Sequence, residues 1–161
     1  MKFNPIFIIL KSISLLLMKR VWFPKERVGT TIVVGDREYI VFRQVVMNTK
    51  STQSEIPDGI FRVWFFTKMS SVGTICLSWL TLLGFIGLPG FHSKLWLVNK
   101  KTKEFGGIYE WDTVQDAHNY NESYAMKFSK WRSIPGKFRT EVFSQDDPRA
   151  KMHQTMTYVK R

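Results

Sequence analysis

The chain is poor in the residues that staple a fold or ligate a metal. Its 161 residues include one cysteine, Cys76, and three histidines. A single cysteine excludes a disulfide framework and any zinc or iron–sulfur centre built on thiolates. Three histidines leave little room for a His-rich centre, so no metal site is expected. Acids are also scarce, with 13 Asp and Glu against 24 Lys and Arg and a formal charge of +11. Such an excess calls for an anionic partner or surface, whether nucleic acid, acidic lipid or an anionic substrate. A concentrated basic block is missing too: residues up to Pro57 hold nine Lys and Arg and four acids, and the remainder fifteen and nine. Nucleic-acid binders gather their charge on one face or arm, and no paired-Cys motif, basic zipper or Gly-rich RNA signature is visible. Nucleic acid is therefore not an expected partner. What the chain does have is 44% hydrophobic and 15% aromatic residues, too many for a disordered chain and enough for one buried core.

The apolar residues gather in two segments. Pro5–Met18 reads PIFIILKSISLLLM and is followed by Lys19, Arg20 and Trp22. As a helix it would be about 21 Å long, short for a bilayer core and interrupted by Lys11. No small-residue cleavage site follows it, which argues against a secretory signal. Ile6, Ile9, Ile13, Leu16 and Leu17 share a stripe, and the flanking basic and Trp residues suit a headgroup layer. The segment reads as an interfacial helix, the alternative being a helix packed on the chain's own core. Met69–Phe91 carries no charge at all and passes a simple window test for a membrane span. Gly73, Gly84, Gly87 and Pro89 weaken that reading, and both flanks look like strands of one sheet. It is expected to be a helix packed on that sheet, with its outer face covered by lipid, a partner or the first helix. Its only polar relief is the stripe of Thr74, Ser78 and Thr81, and Cys76 reads as a small core residue.

The periodicity predicts strands over 60–69, 91–99, 105–111 and 137–143, a helix over 72–86 and another from about 113 to 128. The order β-α-β-β-α-β is the split βαβ or ferredoxin-like unit of the α+β class. Upstream, 31–47 reads as an added hairpin turning at Gly35-Asp36. The expected organisation is a membrane-interacting N-terminal helix over 1–28, a hairpin and linker over 29–57, the ferredoxin-like domain over 58–145 and a polar tail over 146–161.

Pro89-Gly90-Phe91 leads into Lys94-Leu95-Trp96, a charged hairpin and Gly106-Gly107-Ile108-Tyr109; a helix and the Arg139–Phe143 strand follow. This ordered series, over about Phe61 to Phe143, resembles the YdhR-like monooxygenases of the dimeric α/β-barrel superfamily. The resemblance implies a ferredoxin-like fold, a homodimer whose sheets pair into a barrel, and a pocket between sheet and helices for hydrophobic small molecules. Related members include cofactor-free oxygenases of aromatic polyketides, haem-binding proteins and lactone isomerases, so the reaction is less fixed than the fold. The chain departs from the small members in its N-terminal 57 or so residues and in its uncharged first core helix.

Alternation on the strands supplies candidate chemistry. Arg62 and Trp64 share one face of their strand, His92, Lys94 and Trp96 one face of the next, and Gly107, Tyr109 and Trp111 one face of the third. Converging, Arg62, Lys94 and Tyr109 would meet among Trp64, Trp96 and Trp111, a box for a flat, enolate-like substrate. Lys94 or Arg62 would stabilise an oxyanion and Tyr109 would donate a hydrogen bond. His118 is a further candidate base and Tyr124 a further substrate contact; Glu110 and Glu122 are weaker candidates, as is His92 as a haem ligand. Gly106-Gly107 lies inside a strand, where close backbone approach is a better reading than a phosphate loop. The expectation is a membrane-associated, cofactor-independent oxygenase-like or isomerase-like enzyme, homodimeric, acting on an aromatic or quinone-like molecule. The alternative is a non-catalytic accessory subunit of a larger membrane complex.

Overall fold

The computed structural model of the chain describes residues 4–48 and 56–150. The elements are α1 (Pro5–Leu17), β1 (Val21–Trp22), β2 (Thr31–Val34), β3 (Arg37–Met47), β4 (Gly59–Thr67), α2 (Ser71–Leu82), β5 (Phe91–Val98), β6 (Phe105–Trp111), α3 (Val114–Asn121), α4 (Tyr124–Trp131) and β7 (Ser133–Ser144). Most of the linker expected over 49–57 and of the polar tail lies outside the described residues.

All the strands join one antiparallel sheet in the order β1-β3-β5-β6-β4-β7, with β2 on the free side of β3. The last four in this order run β5-β6-β4-β7, the arrangement that two βαβ crossovers produce in a ferredoxin-like α+β fold. The hairpin of β2 and β3 extends the same sheet, because β3 pairs along β5 from Ile40↔Val98 to Val46↔Ser93.

The helices differ from expectation in ways that side-chain chemistry explains. One helix was expected after β6; two form. Thr113 caps α3 by accepting from the Asp116 amide, and Ser123 caps α4 by accepting from the Met126 amide. A serine in extended backbone both ends one helix and starts the next. In α2 the hydroxyl stripe points inward: Thr74 and Ser78 are buried, whereas Val72, Trp79 and Leu80 face solvent. Thr74 and Ser78 satisfy their hydroxyls on the carbonyls of Ser70 and Ile75, which lets them sit inside without cost. Cys76, expected in the core, is exposed.

Helix α1 touches the rest of the chain along a narrow strip and leaves most of its apolar stripe exposed. Ile8 and Ser12 are the buried positions, Ser12 Oγ donating to the Leu83 carbonyl at 2.8 Å. Ile6, Phe7, Leu10, Ile13 and Leu17 are exposed. Thus α1 packs on the chain and still presents an apolar face. Among the described residues no helix is long and apolar enough to cross a membrane.

The sheet separates two apolar clusters. The face under the helices carries Phe61, Val63, Phe65, Phe91, Trp96, Phe105, Tyr109 and Trp111. The outer face carries Ile60, Trp64, Leu95, Leu97 and Ile108, packed with Tyr39, Phe143 and Ala150. These outer residues are buried within the chain, so the barrel-like pairing implied by the resemblance would have to use other surfaces than this centre.

Candidate functional site

A cavity of about 330 Å³ lies between the helix-side face of the sheet and the helices. Its floor comes from β4, β5 and β6, and its wall from α2, α4 and the segment after α2. The lining side chains are mostly aromatic or aliphatic, with a few convergent polar groups, as in small-molecule sites generally. Ile9, Leu80 and Phe128 line it while remaining 38%, 66% and 42% exposed, so they mark its mouth.

Adjacent glycines on β6 serve opposite faces. Gly107 faces the cavity; a Cβ there would stand 2.9 Å from the Tyr109 ring and 3.4 Å from Lys94 Cε. Gly106 faces outward; a Cβ there would stand 2.2 Å from the Trp64 ring. The close approach read from this pair is therefore real on both sides, and its inner half makes room for the Lys94 stem.

Lys94 is the central polar group. It is buried, with Nζ at 4.5, 4.2 and 4.4 Å from the ring centroids of Phe85, Trp96 and Tyr109. Among the described residues it forms no ion pair. Burial, reinforced by Arg132 and Arg43 nearby, holds its pKa well below the ordinary lysine value. The neutral amine is thereby favoured, which is the form that accepts a proton. Beside it the Tyr120 hydroxyl donates to the Tyr109 hydroxyl at 3.0 Å, leaving the Tyr109 proton to donate onward. Burial raises the pKa of both phenols, so both stay protonated. Tyr124 lines the wall, its hydroxyl donating to the Gly84 carbonyl at 3.1 Å.

Of the expected site residues, Lys94, Tyr109, Trp96 and Tyr124 meet at this cavity. Arg62 and Trp64 do not. The sheet register sets Arg62 opposite Ile108, and Phe61 opposite Tyr109, so Arg62 and Trp64 point to the outer face. There Arg62 donates to the Arg149 carbonyl at 3.0 Å and lies 3.7 Å from Glu141, and Trp64 stacks on Tyr39 at 4.6 Å. Trp111 is on the inner face but packs against Tyr120 and Phe91 in the core, away from the cavity lining. His118 is exposed on α3 and also lies apart. Glu122 is exposed at the end of α3.

Three functional-looking residues escaped the strand-based reading. Tyr120 comes from α3, Arg132 from the end of α4, and Arg43 from β3. Tyr120 stood in the apolar period of its helix, a signal that could have found it. Nothing in the sequence marks Arg132 as inward.

The haem role that the resemblance allows would need an axial ligand facing the cavity. His92 is buried and hydrogen-bonded to Asp112, and His118 is exposed; neither lines the cavity. Among the described residues no group of three or more His, Cys, Asp or Glu could hold a metal ion. These side chains do not fit an axial haem site.

Fold and site together define a ferredoxin-like α+β protein with an aromatic-lined cavity between sheet and helices. Residues 85–144 match the model of a family described as "Putative mono-oxygenase ydhR", the family the sequence resembles. No curated protein sequence matches the chain. Among solved structures, a ferredoxin-fold protein related to antibiotic biosynthesis monooxygenases, from Listeria monocytogenes 4b F2365, is similar with 15% identity and a TM-score of 0.51. That similarity covers 72% of this chain and 69% of the other. LmHde, a heme-degrading enzyme from Listeria monocytogenes, is similar with 14% identity and a TM-score of 0.52, over 77% of this chain and 96% of its own. At such identity these likenesses establish the fold.

Proposed function

We propose that the chain is a membrane-associated oxygenase-like or isomerase-like enzyme that uses no cofactor. Its substrate is a hydrophobic, aromatic or quinone-like molecule with an acidic carbon. The observation that carries the reading is the buried, unpaired Lys94 at the floor of an aromatic cavity, beside a tyrosine hydroxyl. The neutral Lys94 amine takes a proton from the substrate carbon, and the electron pair of the broken C–H bond moves onto the conjugated carbonyl oxygen. Tyr109 donates a hydrogen bond to that oxygen. In the oxygenase case dioxygen is the co-reactant; it is reduced as the carbon is oxidised to a ketone, one oxygen entering product and the other leaving as water. In the isomerase case the proton returns to a different carbon.

Membrane association rests on the exposed apolar faces of α1, α2 and α4, which meet at the cavity mouth. Exposed Lys11, Lys19, Lys127 and Lys130 border them, the pattern of an interfacial surface. A substrate dissolved in lipid would enter without crossing water.

Anthrone, a flat aromatic ketone with an acidic methylene, serves as the probe. Oxygen uptake and anthraquinone formation are expected with the full chain, reduced about 100-fold or more in Lys94→Met and about tenfold in Tyr109→Phe. Full rates in both folded variants overturn the mechanism. Flotation with anionic vesicles checks the membrane half, and travel with a much larger assembly in detergent supports the accessory-subunit alternative instead.

A further inference from the structure

Three basic side chains surround the cavity, and no acid lines it. Lys94 and Arg132 line it, and no Asp or Glu does. Arg43 stands beside it, donating to Ser78 Oγ at 2.8 Å, with its guanidinium carbon 5.2 Å from the Trp96 centroid. The Nε and Nη1 of Arg132 are buried without a hydrogen-bond partner. The Arg132 guanidinium carbon lies 4.9 Å from the Phe65 centroid.

Leaving guanidinium N–H groups dry and unpaired is costly. Cation–π contact offsets only part of the cost. An arginine in this condition offers a planar fork suited to a carboxylate. We propose that the molecule bound here carries a carboxylate on an aromatic body. Arg132 binds the carboxylate while the rings lie among Phe65, Phe105 and Trp96, and Lys94 stays available at the floor. The inference rests on the cavity being the substrate site and narrows its substrate to aromatic acids. Arg132 is thus a specificity-determining residue.

Calorimetric titration of the full chain with 2-naphthoate and with 2-naphthalenemethanol compares an acid with its neutral counterpart. Naphthoate is expected to bind about 10- to 100-fold more tightly. Arg132→Met should erase that preference, and Arg132→Lys should retain part of it. Equal affinity of the wild-type chain for both probes overturns the inference while leaving the cavity reading intact. A preference that survives in Arg132→Met overturns it as well. Failure of both probes to bind removes the cavity reading and the inference together. Where Arg132→Met does not fold, Arg132→Gln makes the same comparison.

Discussion

The two faces of the sheet handle charge in opposite ways. On the outer face every buried acid has donors. Glu104 accepts from Arg37 at 2.8 Å, Tyr39 at 2.6 Å and Arg139 at 3.1 Å, and Glu110 accepts from Ser93 at 2.6 Å. On the inner face Lys94, Arg43 and Arg132 meet rings and hydroxyls. The outer face is built as a core whose buried acids find partners on folding, while Arg62 Nε there stays without one. The inner face leaves its polar groups for something that arrives later. Basic groups gathered around a cavity that no Asp or Glu lines mark a candidate binding site.

The sharpest way to break this contrast is to add one methyl group on each side. Gly106→Ala drives a Cβ to 2.2 Å from the Trp64 ring inside a filled face, and a loss of about 3 kcal/mol is expected in denaturant unfolding. Gly107→Ala meets the Tyr109 ring at 2.9 Å beside open space, so about 1 kcal/mol is expected, together with loss of naphthoate binding. Equal costs would mean that the inner face is as closely packed as the outer.

Glu110 comes next. Burial pushes its pKa up from 4.5 to about 7. Between those values the folded chain keeps a proton that the unfolded chain has released. The stability from this group is therefore fully present below pH 4.5 and lost as pH rises through 7, by up to about 3 kcal/mol. Glu110→Gln should flatten this part of a stability-against-pH curve.

Removing one ionisable group from each face should act with opposite sign. Glu104→Ala strands Tyr39 and two arginines and is expected to cost about 2 kcal/mol. Lys94→Met removes an unpaired buried amine and is expected to stabilise by about 1 kcal/mol at neutral pH. Because the pKa of Lys94 lies below 10.5 in the fold, the unfolded chain holds the extra proton. The wild type should therefore gain stability as pH climbs toward 10.5, and Lys94→Met should not. Smallest is Tyr120→Phe, which deletes the donor to Tyr109 and should cost about 0.5 kcal/mol by thermal unfolding.

The order of elements was legible because strands and helices here keep clean periods, and the run from Pro89 to Phe143 carried the family likeness. The site was half legible. Alternation correctly put Lys94 with Trp96, and Gly107 with Tyr109, since neighbours two apart on one strand cannot separate. It could not relate Arg62 to Tyr109, because that depends on how β4 slides against β6. A one-residue step, Phe61 rather than Arg62 opposite Tyr109, sends Arg62 to the other side. The bulge between Phe91 and Ser93 likewise breaks the parity that counting assumes. The inward turn of the α2 hydroxyls was hidden for another reason. Hydrophobicity alone assigns Trp79 and Leu80 to the core, and only the chain's exposed apolar surface shows otherwise.

The exposed thiol of Cys76 has a practical consequence. It is the only cysteine in the sequence, and it stands on α2, the helix that supplies part of the cavity wall and of its mouth. The native chain therefore carries one addressable thiol in a useful position, with no substitution required. A polarity-sensitive fluorophore attached there would report, in a single emission shift, whether this flank of the protein meets water, lipid or another polypeptide.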